Sequence, residues 1–219
     1  MTDTTSVDIK QLLGEHPSSP KIVVHLNNLA SLATSPQGTT PEIKSYPDAV
    51  YFNYYSLGLS LLFKPINMYR PRTNLGRDDL KDADLVLDGI DIYNVPPPKP
   101  GASPEQQGTT RLIYATYPVS PVVLSLAPGP SADEATPRAA KLEITPNSTG
   151  KDFVQAMGEP DRKGGGAGPS SGSIGIWCEW SKDGVMVEFG GDESKGPKAW
   201  ETGKDAVWKV ISIFPPKED

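Results

Sequence analysis

The chain has 219 residues, 37% of them hydrophobic, enough to bury the core of one large domain or two small ones. Its formal net charge of −6, without clustered Lys and Arg, excludes a nonspecific nucleic-acid binder, because neutralising phosphates needs a basic patch. The single cysteine, Cys178, excludes an intramolecular disulfide, and no apolar run approaches the roughly 20 residues of a membrane-spanning helix. Met1 to Asp8 is polar where a secretory signal needs an apolar run, so a reducing, cytoplasmic setting is expected.

The first element carries a pattern that returns later in the chain. Thr5-x-x-Asp8-x-x-Gln11-x-x-Gly14-Glu15 recurs as Thr149-x-x-Asp152-x-x-Gln155-x-x-Gly158-Glu159 under one constant offset. Each copy reads as a helix start, Thr5 or Thr149 accepting from a backbone amide while Asp8 or Asp152 reaches back in a variant of the capping box. Ile9, Leu12 and Leu13, and Phe153, Ala156 and Met157, then form one apolar face. Gly14 and Gly158 suit a left-handed stop, and Pro17 and Pro160 follow it. In the sequon Asn147-Ser148-Thr149, Thr149 is therefore assigned to the helix cap.

The first copy continues through Pro17 to Asp48, whose Lys21 to Leu32 part is a strand or a helix. Tyr51 to Phe63 then aligns without gaps on Trp177 to Phe189, the aromatics, the glycine and the last phenylalanine coinciding. Asp183-Gly184 signals a tight hairpin turn in which glycine supplies a positive φ, and Leu57-Gly58 holds the same place. Alternation sends Val50, Phe52, Tyr54, Leu59, Leu61 and Phe63 to one face, as it does Ile174, Ile176, Cys178, Trp180, Val185, Val187 and Phe189. That face should cover the helix. Ile90 to Tyr93 and Ile211 to Phe214 supply a third strand to each copy.

Between the copies, residues 94–110 contain Pro96-Pro97-Pro98-Lys99-Pro100 and read as an extended linker. Arg111 to Tyr117, Pro121 to Leu126 and Lys141 to Thr145 read as three short strands, and Pro128 to Arg138 as a loop. The expected fold is α+β: two similar units at 1–93 and 111–219, each a short N-terminal helix packed on one face of an antiparallel sheet.

Few residues carry chemistry. Lys163 to Gly168 is glycine-rich but lacks the Gly-x4-Gly-Lys-Ser/Thr spacing of a nucleotide loop and follows a helix, so it reads as a mobile loop and not an anion site. His16 and His25 have no counterpart in the second copy and read as surface histidines before a general base, which a neighbouring carboxylate or nucleophile must poise. Cys178 lies on the inward row as a buried small hydrophobe. Asp78-Asp79 and Asp192-Glu193 are solvated charges without metal-ligand spacing, and no cofactor is expected. Pro96 to Pro100 reads as a linker before it reads as a polyproline ligand.

The reverse face of the strands is more informative. Tyr51, Asn53, Ser60, Leu62, Asp91 and Tyr93 project there in the first copy, and Trp177, Glu179, Met186 and Glu188 in the second, joined by Trp208, Val210, Ser212 and Phe214. Left uncovered, such a face has the composition of a protein-binding patch. Tyr51, Asn53, Tyr93, Trp177, Glu179, Met186, Glu188 and Trp208 are the candidate partner-binding residues. The plain alternative is that two sheets, or two chains in a homodimer, pack there.

The order of helix, glycine-proline stop and aromatic hairpin resembles the repeat unit of the bacterial outer-membrane assembly lipoprotein and β-lactamase-inhibitor superfamily. Tyr51 to Phe63 is also similar to a stretch of the eukaryotic phagosome assembly factor family. Both resemblances imply contact with macromolecules and not catalysis. The inhibitor type is secreted and disulfide-bonded, whereas this chain has one cysteine. The expected function is thus a non-catalytic, cytoplasmic protein-binding or scaffold module, its partner unnamed. The other reading is a small-molecule or carbohydrate site between the units, of a binding protein or of an enzyme, with Tyr51, Tyr54, Trp180 or Trp200 stacking on the ligand.

Overall fold

The structure, a computed structural model, describes residues 8–33, 40–95, 114–128, 138–166 and 175–217. It is mixed α and β, with three α-helices, ten strands and antiparallel pairing among the described residues. No helix among them is long and apolar enough to cross a membrane. The chain divides into two compact units, one of Glu15–Leu87 with Ile92–Pro118 and one of Met1–Gly14, Asp88–Asp91 and Val119–Asp219.

In the amino-terminal unit, α1 (Pro20–Leu32) settles the Lys21 to Leu32 segment as a helix: Ser19 accepts from the Ile22 amide and Pro20 occupies the first turn, where its missing N–H costs nothing. Strands β1 (Glu42–Tyr46), β2 (Ala49–Tyr54) and β3 (Leu59–Pro65) pair in sequence, and β4 (Leu85–Tyr93) follows β3. The register sets Val50 against Phe63, Phe52 against Leu61 and Tyr54 against Leu59, and all six are buried as alternation predicts. The hairpin turn is a 3₁₀ turn, Tyr55–Leu57, closed by Gly58 at φ 58°. The glycine supplies the positive φ expected of it.

The carboxy-terminal unit holds β5 (Val122–Ser125) paired with β6 (Lys141–Ile144), and a sheet of β7 (Arg162–Gly164), β8 (Trp177–Trp180), β9 (Val185–Phe189) and β10 (Trp208–Ile213), ordered β10-β9-β8-β7 beside the middle of β4. Its helix α2 (Gly150–Met157) starts on the predicted box, Asp152 accepting from the Thr149 amide at 2.8 Å, and is followed by Gly158 at φ 80°. Phe153 packs on Trp180 and Phe189, with ring centroids at 6.4 and 5.9 Å, while Trp180 donates its indole N–H to the Gly158 carbonyl at 2.9 Å. The inward row from Ile176 to Phe189 is buried. A short helix, α3 (Ala199–Thr202), precedes β10.

The structure departs from the expected fold at several points. The first short motif is one 3₁₀ turn, Ile9–Leu12, and not an α-helix, because Leu13 is extended and Gly14 follows at φ 83°. That turn belongs to the carboxy-terminal unit: Asp8 accepts from the Ser125 amide at 2.9 Å, and Lys10 donates to the carbonyls of Ser125 and Asp183 at 2.5 and 2.7 Å. The helix of the amino-terminal unit is α1 instead. Second, Lys163-Gly164 is strand and not loop, since Arg162–Gly164 pairs with Glu179, Cys178 and Trp177. Third, His25 is half-buried beside Tyr117, 3.1 Å from its hydroxyl, and burial lowers its pKa to about 4.

Residues 114–117 are not a strand, although the Ala115 amide reaches the Tyr55 carbonyl at 2.7 Å and the Tyr117 amide the Tyr93 carbonyl at 2.8 Å. Thr5, Ile174, Arg111 to Ile113, Ala167-Gly168, most of the Pro128 to Arg138 loop and linker residues 96–110 lie outside the described residues.

Gly184 closes the second hairpin turn, Ser181–Asp183, at φ 62°, and a Cβ there would strike the Phe214 carbonyl oxygen. Gly184→Ala therefore combines a left-handed penalty with a backbone collision and is expected to cost at least about 2 kcal/mol of unfolding free energy in urea titration. A loss under about 0.5 kcal/mol would show that Phe214 does not close on the turn.

Candidate functional site

In the amino-terminal unit Tyr114 covers part of the reverse face. Asn53, 6% exposed, accepts from the Ser60 hydroxyl at 2.8 Å and the Tyr114 hydroxyl at 2.7 Å. The Tyr114 ring stacks on Tyr93 at 3.7 Å with 4° between planes and leans on Tyr55 at 4.6 Å. Tyr51 is half-buried with Tyr46 edge-on to it at 6.2 Å. Asn53 and Tyr93 are therefore partners of Tyr114, not an open patch. Alternation alone does not show which segment caps a face.

In the carboxy-terminal unit Trp177, Glu179, Met186 and Glu188 do share one row, set by the pairs Trp177 with Glu188 and Glu179 with Met186. Trp177, Met186 and Glu188 are half-buried, and Gly164 opposite Trp177 leaves room for the indole. Glu179 is buried and ion-paired with Arg162 at 3.3 Å and Lys217 at 3.1 Å, with the Ser181 hydroxyl at 2.9 Å. Burial works to raise its pKa, but the Lys217 and Ser181 hydrogen bonds and the two cations hold the carboxyl below its ordinary range.

Trp208 leaves this row. An irregularity between Trp208 and Val210 sets Trp208 against Phe189, so it joins the inward side, 4% exposed, with its indole N–H on the Thr145 carbonyl at 2.8 Å. The placement expected from strict alternation fails there because the extra residue, Lys209, shifts the phase by one.

A concave site among the described residues of this unit lies elsewhere, in a cleft of about 490 Å³. Its floor is Ile176, Cys178 and Phe189; α2 contributes Gly150, Lys151, Val154 and Gln155; Glu159, Pro160, Lys163, Trp200, Gly203 and Lys204 complete the wall. Local rules place each part. Phe153 and Met157 occupy the core face of α2, which turns Lys151, Val154 and Gln155, spaced three and four apart, to the cleft. Gly150 and Gly203 allow backbone contact between helix start and turn, since a Cβ on Gly150 would strike the Gly203 carbonyl. Trp200 is 46% exposed, with the Lys163 ammonium 5.7 Å from its ring centroid.

Cys178 is the thiol on this floor. Burial pushes its pKa up to about 11, with Lys163 pulling down and Glu159 pushing up. The thiol is thus neutral at physiological pH, which suits a wall and not a nucleophile. Sequence reasoning had marked Trp200 as a ligand-stacking residue and Cys178 as inward, but missed Lys151, Val154 and Lys204. Lys151 and Val154 lie on the non-core face of α2, and Lys204 lies in the turn after α3.

Because its folded carboxyl is held below the unfolded value, the Glu179 network stabilises the unit above about pH 4.5 and loses that contribution as pH falls through the lower folded value. Glu179→Gln is expected to destabilise by about 1 kcal/mol or less at pH 7, its cations being solvent-exposed, and by less at pH 3. Paired denaturation curves at the two pH values check this, and an equal deficit at both would refute the ionic account.

No protein-family model, curated protein or solved structure matches the chain, so its function is argued from this geometry.

Proposed function

We propose that the protein is a non-catalytic binding module that takes a small ligand into the cleft of its carboxy-terminal unit. The carrying observation is the cleft itself: about 490 Å³, apolar-floored, with a partly exposed tryptophan in its wall. That volume falls within the range of sites for drug-sized molecules, which hold a ligand by apolar burial and orient it with a few polar groups. The raised pKa of Cys178 argues against a cysteine nucleophile in the cleft, since thiol chemistry needs an activated thiolate. A protein partner on the Trp177 and Met186 row is the second reading, favoured by their half-exposed apolar side chains.

We also propose that the two hairpins descend from one duplicated unit. Support comes from matched closures: the Tyr93 amide donates to Gly58 and the Ala115 amide to Tyr55, as the Phe214 amide donates to Gly184 and the Lys217 amide to Ser181. The resemblance to tandem-repeat binding proteins is consistent with that origin.

A thermal-shift screen of small apolar molecules tests the binding reading. A ligand at about 100 times its dissociation constant should raise the midpoint by several degrees. Val154→Trp, which fills the cleft from a half-buried position, should keep a parental midpoint and abolish the rise. A rise that survives this substitution would place the ligand elsewhere.

A further inference from the structure

We propose that the ligand is a small amphipathic anion, an apolar chain ending in a carboxylate, of which a free medium-chain fatty acid is the type. The inference rests on the cleft being the binding site and assigns its chemistry. The cleft asks for hydrocarbon, because half-buried Val154 and partly exposed Trp200 gain from losing water above a floor, Ile176 and Phe189, that offers no side-chain hydrogen bond.

The rim asks for negative charge. Lys151, Lys163 and Lys204 reach it from three separate elements, the first turn of α2, strand β7 and the turn after α3, and Glu159 is the one acidic residue among the lining residues. All three lysines are exposed. This local excess of cations stands in a chain whose net charge is −6, so it does not follow from bulk composition.

Lys151 makes the point sharply. The first turn of a helix favours acidic side chains, as Asp152 shows in the same turn, and an ammonium there opposes the helix dipole. An anion at the rim would relieve that opposition. Lys163, poised over the Trp200 ring, would turn its charge toward the same carboxylate while the ring covers the chain beneath. A cationic ligand would meet three like charges against one carboxylate, and a neutral one would leave that excess of positive charge uncompensated.

Isothermal titration of the full chain with sodium decanoate, decanol and decylammonium chloride at pH 7.5 tests this. Decanoate should bind roughly tenfold or more tightly than decanol, and decylammonium most weakly. In the triple variant Lys151→Gln, Lys163→Gln, Lys204→Gln, whose exposed sites leave folding intact by circular dichroism, decanoate should fall to the affinity of decanol while decanol is unchanged. Equal binding of decanoate and decanol, both abolished by Val154→Trp, would keep the cleft as a site and overturn the anion. Decanoate binding that ignores the lysine substitutions would likewise overturn it. Absence of binding by all three probes would overturn the anion and the cleft reading together.

Discussion

Each hairpin turns on a glycine in the left-handed region with another stretch of backbone laid against it. Gly58 and Gly184 sit at φ 58° and 62°, and the space where a side chain would stand is taken by Ala115 and Phe214 respectively. A Cβ at either site would meet a carbonyl and not a flexible side chain, so the contact cannot yield cheaply. This closure fixes the strand register, and register fixes which row is buried. The floor of the cleft, Ile176, Cys178 and Phe189, belongs to the row so chosen.

A buried polar knot holds the rest of the carboxy-terminal unit to that turn. Asp183, 2% exposed, accepts from the Ala127 amide at 2.8 Å and pairs with Arg138, which also donates to the Met157 carbonyl at 3.0 Å. Lys10 adds a bond to the Asp183 carbonyl, and its pKa is pulled down by burial against the opposing pull of Asp183 and Asp8. Buried charges of this kind contribute little net stability but are expensive to break singly, which suits a device that sets position. Its product is the placement of α2, held by Arg138 at its carboxy-terminal end, so that Lys151, Val154 and Gln155 stand over the sheet row beneath.

What was legible in the sequence is what depends on near neighbours. The box of Thr149 and Asp152, the positive-φ glycines and the two alternating inward rows follow from backbone rules spanning a few residues. What was not legible depends on distant parts of the chain. Tyr114 closes over Asn53 and Tyr93 from far along the sequence, the bulge at Lys209 flips Trp208 inward, and the Ile9–Leu12 turn leaves the amino-terminal hairpin for β5. The cleft was half legible: Trp200 and Cys178 stood out, but its lysines come together only when α2, β7 and the segment after α3 are folded. A lysine on the outer face of a helix has no sequence mark that separates recognition from solvation.

The account stands or falls on where a ligand touches the molecule, the cleft of α2 and α3 or the reverse row of the sheet. The four tryptophans make this directly visible, because Trp200 lines the cleft and Trp177 lies on the reverse row. The decisive measurement is a titration of ¹⁵N-labelled protein, following the indole N–H resonances, with a ligand that raises the thermal midpoint. A saturable shift of the Trp200 indole with the Trp177 indole unmoved is the predicted result. A shift of Trp177 with Trp200 unmoved would contradict it.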